Sequence, residues 1–345
     1  MQNNQGFGEE ISRHIARLTT EKVTAVGLRN AKLNRPHYRK TIYDLPQPKR
    51  SQNGSALVVV GGPSLHLKNS AARIVGGAFQ GDIITADGSF GYCLRNGLIP
   101  QYLVCLDPNP YRIVRWFGDP ELAARPPDDY FQRQEFDPEF GKTKPEEIEH
   151  NRRLTKLVNR YGPQVKAILC TSIDPTVTKR CLESGMDIYW WNQFYDEPSD
   201  PAQTITRDLV KLTGGIPCMS AGGNVGTAAY VFSWAVLGHK HVGLAGFDLG
   251  YAPGTDYLNT QYFYELREQF GERAVEAFIH VYNPHLNETW FTDPTYHWFK
   301  QVFLELAVEA TCTTYNCTEG GTLFGENINF IPLAEFLSKF GQNGG

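Results

Sequence analysis

The stretch that decides the fold is ALVVVGGPSL, residues 56–65. Leu57–Val60 is a short run of β-branched and apolar residues, and a glycine turn with a proline breaks it at once. A run this short, apolar on every position and not alternating, predicts a strand buried on both faces. Pro63 sits where a following helix would start, a place that tolerates its missing N–H.

Working outward, the same rhythm repeats. DIITA (82–86) ends in Asp87-Gly88, YLVCL (102–106) ends in Asp107-Pro108, and further runs begin at Val165 and Asp187. Helices are expected between them, over 89–96 with Gly97 as the stop, near 174–184 and around 204–213. HVGLAGFDLGY (241–251) supplies another strand and TTYNC (313–317) a later one, separated by a long aromatic loop and a helix near 296–310. Strands alternating with helical stretches predict an α/β domain: an open, mainly parallel sheet with helices on both faces.

The organisation expected is an N-terminal helical arm and linker over 1–54, then one domain over 55–345. Within the arm, residues 7–34 read as a helix with Ile11, Ile15, Leu18, Val23 and Val26 as its apolar positions. Two stretches interrupt the rhythm. Residues 109–160 are rich in Pro, Asp, Arg and aromatics, with a helix expected over 145–160; residues 250–295 read as an aromatic-rich loop.

Composition narrows the function classes. The 345 residues carry a formal net charge of −4, which argues against a general binder of nucleic acid or of a membrane surface. No run approaches the ~20 apolar residues of a membrane span. The first 18 residues contain acids and no apolar core, so no secretory signal is expected there. The 7 cysteines form no CxxC pair and fall largely in strand-like runs, as buried reduced thiols of a cytoplasmic protein would.

Candidate chemistry gathers at the strand ends. Gly61, Gly62 and Ser64 lie at the carboxyl end of the first strand, where backbone amides and helix N-termini converge on ligands. The spacing is neither GxGxxG nor GxxxxGK[ST], so a dinucleotide dehydrogenase or a P-loop kinase is disfavoured. SAGGNVGTAAY (220–230) is a second glycine turn that opens a helix, with Ser220, Asn224 and Thr227 as donors beside Gly222 and Gly223. Two such turns on one sheet point to a shared anionic ligand. Each also has a purely structural account, as a tight β–α turn or as close helix packing by small residues.

Asp87, Asp107 and Asp248 each close a strand, and Glu319 precedes the glycines of TEGG (318–321). Acids at that edge can grip ribose hydroxyls, hold Mg²⁺ on a diphosphate, or act as a base; each can equally cap a helix. His297 lies beside an apolar stripe and is expected to pack. The 9 histidines form no HExxH pattern and no GxSxG elbow is present.

Taken together, these segments resemble the family of the flagellin-modifying Maf (motility-associated factor) glycosyltransferases and the archaeal 6-hydroxymethylpterin diphosphokinases (MptE-like). That family opens with G-x-G-P-S-L after a strand; here VGGPSL places Val60 at the first glycine. GLIPQYLVCLD ends at Asp107, and Ser220–Ala229 matches the serine- and glycine-rich turn. G-x-D-L-a-y is met by Gly246, Asp248, Leu249 and Tyr251, and N-a-T-E-G-G by Asn316, Thr318, Glu319, Gly320 and Gly321.

The resemblance implies a Rossmann-like transferase, similar to sialyltransferases that use a CMP-activated sugar. The expected reaction is sugar transfer from a nucleotide-linked donor to a glycan or protein acceptor. In it the turn residues and Asp87 hold the nucleotide, while Asp107, Asp248 and Glu319 do the acid–base work. The aromatics Tyr251, Tyr257, Tyr262, Tyr264, Tyr282 and Trp290 are expected to form a carbohydrate-stacking wall. The alternative is a diphosphokinase using ATP, with Mg²⁺ on Asp107 and Asp248. A further alternative is a nucleotide- or sugar-binding module without catalysis.

Overall fold

A computed structural model describes residues 11, 23–46, 54–109, 112–125 and 143–341. The rest of the expected 7–34 helix, part of the linker, and residues 110–111 and 126–142 of the first interruption lie outside the described residues.

Nine parallel strands form one sheet. In chain order they are β1 (Ser55–Val59), β2 (Asp82–Ala86), β3 (Tyr102–Cys105), β4 (Lys166–Cys170), β5 (Asp187–Gln193), β6 (Cys218–Met219), β7 (His241–Ala245), β10 (Thr313–Asn316) and β11 (Ile328–Phe330). The antiparallel hairpin β8 (Ile279–Asn283) and β9 (Glu288–Thr292) stands apart from it. The sheet order is β11-β10-β7-β1-β2-β3-β4-β5-β6. The chain therefore winds outward from β1 to β6, then returns to lay β7 on the other side of β1. The winding reverses between β1 and β7, and the crevice outside the carboxyl ends at such a point is where open α/β sheets bind ligands.

The expected α/β class, a Rossmann-like sheet with helices on both faces, is what the chain builds. Every residue of β1 is buried. Ala56 and Val58 face one core and Leu57 and Val59 the other, because successive side chains of a strand point to opposite faces. The helices are α1 (23–34), α2 (Pro63–Leu67), α3 (Ser70–Gly76), α4 (Asp87–Arg95), α5 (Arg112–Arg115) and α6 (Lys144–Tyr161). They continue as α7 (Pro175–Glu183), α8 (Ile205–Thr213), α9 (Val225–Val231), α10 (Phe263–Phe270), α11 (Pro294–Glu309) and α12 (Leu333–Phe340). The helix expected to start at Pro63 is two pieces, since Asn69 adopts a left-handed conformation between α2 and α3.

Helix α9 positions the site. It follows the edge strand β6 but lies back across β1, β2 and β3. Its N-terminus therefore arrives above the centre of the sheet. Arm residues 23–46 also pack on the sheet: Asn34 donates to Thr171 O at 3.2 Å and Ile173 O at 2.8 Å, and Trp190 N donates to Lys40 O at 2.9 Å.

The 250–295 stretch is not a loop. It holds α10, 3-10 turns and the hairpin, and it has a small core of its own that includes Tyr251, Phe263, Phe278 and Phe291. Tyr251 and Trp290 are buried, whereas Tyr282 is 56% exposed. The expected stacking wall is thus in good part packing material, because rings this close together exclude water from one another's faces.

Candidate functional site

Three strand-end turns interlock at the reversal. Gly62 N donates to Gly246 O at 2.9 Å, and Ser64 donates through its hydroxyl to Asp248 Oδ1 at 2.5 Å. The Ser64 amide reaches Asp248 Oδ1 at 3.3 Å and Oδ2 at 3.2 Å. From the loop after β10, Thr322 N donates to Asp248 O at 2.8 Å. A methyl group on Gly62 would collide with the Asp248 carboxylate and Gly246 O, and one on Gly320 with Ser64 Oγ. These two glycines are there to let loops touch.

That geometry redirects several expectations. Ser64 and Asp248 are buried, so the hydroxyl expected to meet ligand serves Asp248 instead. Burial pushes the Asp248 carboxyl up to about 7, against the pull of the Ser64 hydrogen bonds. Glu319 holds a left-handed conformation, and its carboxylate pairs with Arg73 of α3 at 2.5 Å. Asp107 and Asp248 close strands three places apart in the order β7-β1-β2-β3. At ~4.8 Å per strand that is on the order of 14 Å, too far for the shared metal of the alternative reading.

The structure instead brings Asp87 and Asp107 within electrostatic reach of each other, just past the ends of the neighbouring strands β2 and β3. Asp87 is 4% exposed; it accepts from Gly88 N at 2.7 Å and from Cys105 Sγ at 3.3 Å. Its burial, with the Asp107 charge second, pushes its carboxyl up to about 7. Asp107 is exposed and accepts from Asn109 N at 2.8 Å. Gly61 is exposed beside this pair, and a methyl on it would lie 3.6 Å from the Gly88 carbonyl group, an ordinary contact.

The second glycine turn comes to the same place. Asn224 caps α9 by accepting from Thr227 N at 2.9 Å, and its amide donates to Thr227 Oγ1 at 2.8 Å. A methyl on Gly226 would stand 3.2 Å from Val60 Cγ1, so this turn adjoins the first. Gly222 and Gly223 take left-handed conformations; Gly223 is exposed and Asn224 half-buried, while Thr227 is buried. Ser220 is half-buried at the end of β6, and His297 is half-buried on α11. Among the described residues no three His, Cys, Asp or Glu side chains converge to hold a metal ion.

Sequence reasoning missed three buried polar groups near these turns. Asp293 caps α11 by accepting from Thr295 N at 2.8 Å and Tyr296 N at 2.9 Å, and it accepts from Tyr251 Oη at 2.7 Å. The signal was present, since Asp before Pro is a helix-start pattern. Lys300 is buried over the Phe324 ring at 4.8 Å, and burial lowers its ammonium to about 8. Asn30 belongs to the arm, and nothing local to it marks its long-range partners.

The sheet order and the strand-end turns define a doubly wound α/β domain whose two glycine turns meet at the reversal point. The same fold is seen in the solved Maf glycosyltransferase from Magnetospirillum magneticum AMB-1, with a TM-score of 0.52 and 16% identity. The match covers 89% of this chain and 38% of that one, so the chain spans well under half of its structural relative. At that identity the likeness is one of fold, and it agrees with the fold that the motif resemblance implies. No family model and no curated protein sequence matches the chain. Among the described residues no helix is long and apolar enough to cross a membrane.

Proposed function

We propose that the chain is a glycosyltransferase-like transferase that holds a nucleotide-activated sugar, of the sialic or nonulosonic-acid type, at the β1–β7 reversal. The observation that carries this reading is the meeting of exposed Gly61, the capped start of α9 and the neighbouring acids Asp87 and Asp107 at the carboxyl ends of the central strands. The open backbone of Gly61 suits a nucleotide phosphate and ribose, whereas the Gly222–Gly223 turn is closed in by Thr227, Trp298 and Phe299. Asp107, the exposed acid, takes the proton of the acceptor hydroxyl as the acceptor oxygen bonds to the anomeric carbon. The sugar–phosphate bond breaks, and the nucleotide leaves with its electron pair, met by turn amides. The fold shared with a glycosyltransferase supports the reading at the level of scaffold.

The adjacency of Asp87 and Asp107 favours one second reading. Mg²⁺ is held by one or two carboxylates together with substrate phosphates, so this pair suits a diphosphokinase acting on ATP. A thermal-shift panel of CMP, UDP, GDP, AMP and ATP, each with and without Mg²⁺, separates the two. Stabilisation by CMP without metal is expected. Stabilisation by ATP only with Mg²⁺ would transfer the assignment to the diphosphokinase, and no shift with any nucleotide would end both.

A further inference from the structure

Asp107 stands on a turn whose flanking carbonyls are both held from outside the strand. Leu106 O accepts from Ser172 Oγ at 3.2 Å, and Pro108 O accepts from Asn30 Nδ2 at 3.2 Å. The same Asn30 amide group donates to Ser172 O at 2.9 Å. Asn30 and Ser172 are each 1% exposed, so these bonds are shielded from water and their geometry is fixed by packing. One buried amide on the N-terminal helix thus spans the loops after β3 and β4, some 78 and 142 residues away in sequence.

A turn that only needed to be stable would not require this. The Asp107 side chain already fixes its own turn by accepting from Asn109 N. What the arm adds is a constraint on where that turn stands relative to the sheet. An exposed carboxylate used as a base must be held in place by groups behind it, since misplacement by ~1 Å costs on the order of a hundredfold in rate. Asn34, one helical turn on, offers a contrast. It donates to Thr171 O and Ile173 O and accepts from Thr178 Oγ1 at 2.8 Å, so it anchors the arm without touching the Asp107 turn.

We infer that the N-terminal arm is part of the catalytic apparatus: Asn30, with Ser172, is a positioning residue that sets Asp107 in the cleft. The inference rests on the proposed role of Asp107 and adds a residue from outside the 55–345 domain. Asn30→Asp keeps the shape and removes both donor hydrogens. In the full chain we expect faster backbone hydrogen exchange over residues 103–109. With CMP-sialic acid as donor, followed by CMP release, kcat should fall on the order of ten- to a hundredfold with KM within about twofold. Asn34→Asp, which loosens the arm without removing a bond to the Asp107 turn, should leave exchange over 103–109 near wild type. Should Asn30→Asp not fold, Ser172→Ala leaves Asn30 in place and removes the bond to Leu106 O, together with the Ser172 hydroxyl's contacts to Cys170 Sγ and Gln193 Nε2, and is expected to act in the same direction. Unchanged exchange over 103–109, or a kcat equal to that of Asn34→Asp, would overturn the inference. A wild-type chain that never releases CMP would defeat the activity reading alone, because the exchange measurement still decides the positioning.

Discussion

Ser64 grips the Asp248 carboxylate twice, through its hydroxyl at 2.5 Å and through its backbone amide at 3.2–3.3 Å, and both residues are buried. The contact ties the turn after β1 to the turn after β7, the two sides of the reversal. Asp248 is therefore a strut of the cleft. Asp248→Ala would leave the Ser64 donors unsatisfied, and we expect a loss of about 2–4 kcal/mol in urea unfolding. Nucleotide binding should fall with it, since the Gly61–Gly62 turn loses its anchor. A variant as stable as the parent would show that the strut is dispensable.

Gly61 and Gly62 are neighbours with opposite predicted behaviour. Gly62→Ala drives a methyl into Asp248 and Gly246, so a loss of about 2 kcal/mol or more is expected. Gly61→Ala meets only ordinary contacts and should change stability by about 0.5 kcal/mol or less. It places a methyl in the cleft, however, and calorimetric titration should show weaker nucleotide binding. Equal affinity in Gly61→Ala and wild type would remove that backbone from the binding surface.

The Asp87–Asp107 pair makes a pH prediction. Asp87 ionises near 7 in the folded chain against an ordinary 3.8, so the folded state holds a proton that the unfolded chain releases. That contribution to stability is fully present below about pH 4 and is lost as pH rises through about 7. Asp87→Asn keeps the site neutral, and it should be more stable than wild type at pH 8 while the two converge at pH 4. Asp107→Asn removes the neighbouring charge and should shift the wild-type transition to lower pH. Because Asp107 is exposed, this variant should unfold at nearly the wild-type urea concentration yet lose transfer activity.

Lys300 gives the opposite sign. Its ammonium is lowered from 10.5 to about 8 by burial, so the folded state disfavours the charge. The full penalty applies below pH 8 and fades as pH rises toward 10.5, because there the unfolded chain keeps a proton that the folded one has released. Lys300→Met should raise the melting temperature at pH 7 by roughly 2–4 °C. The gain should shrink between pH 8 and 10. A constant gain across that range would assign the effect to packing.

Much of the sheet was legible because its central strands are buried on both faces and read as continuous apolar runs bounded by turn residues. Asp82–Ala86 is the strand its sequence announces, and TTYNC is cut by one residue to Thr313–Asn316. The helix expected over 145–160 is α6, Lys144–Tyr161. The edges were not legible. β6 has 2 residues and β11 has 3, too few to carry a period. The β8–β9 hairpin carries a weak signal, with Pro284 and Asn287 in its turn. Aromatic density over 250–295 masked it.

The sequence by itself determined that strands end in glycine turns and acids, since apolar runs, turn residues and helix starts are local properties. Only the tertiary structure decided which of those ends meet. Strand order set Asp87 beside Asp107 and kept both from Asp248. The return of α9 across β1 brought Gly226 to the first turn, and the packing of the arm brought Asn30 to Pro108, next to Asp107. These are contacts between segments tens to hundreds of residues apart. They are fixed by which faces bury together, and no local pattern records that.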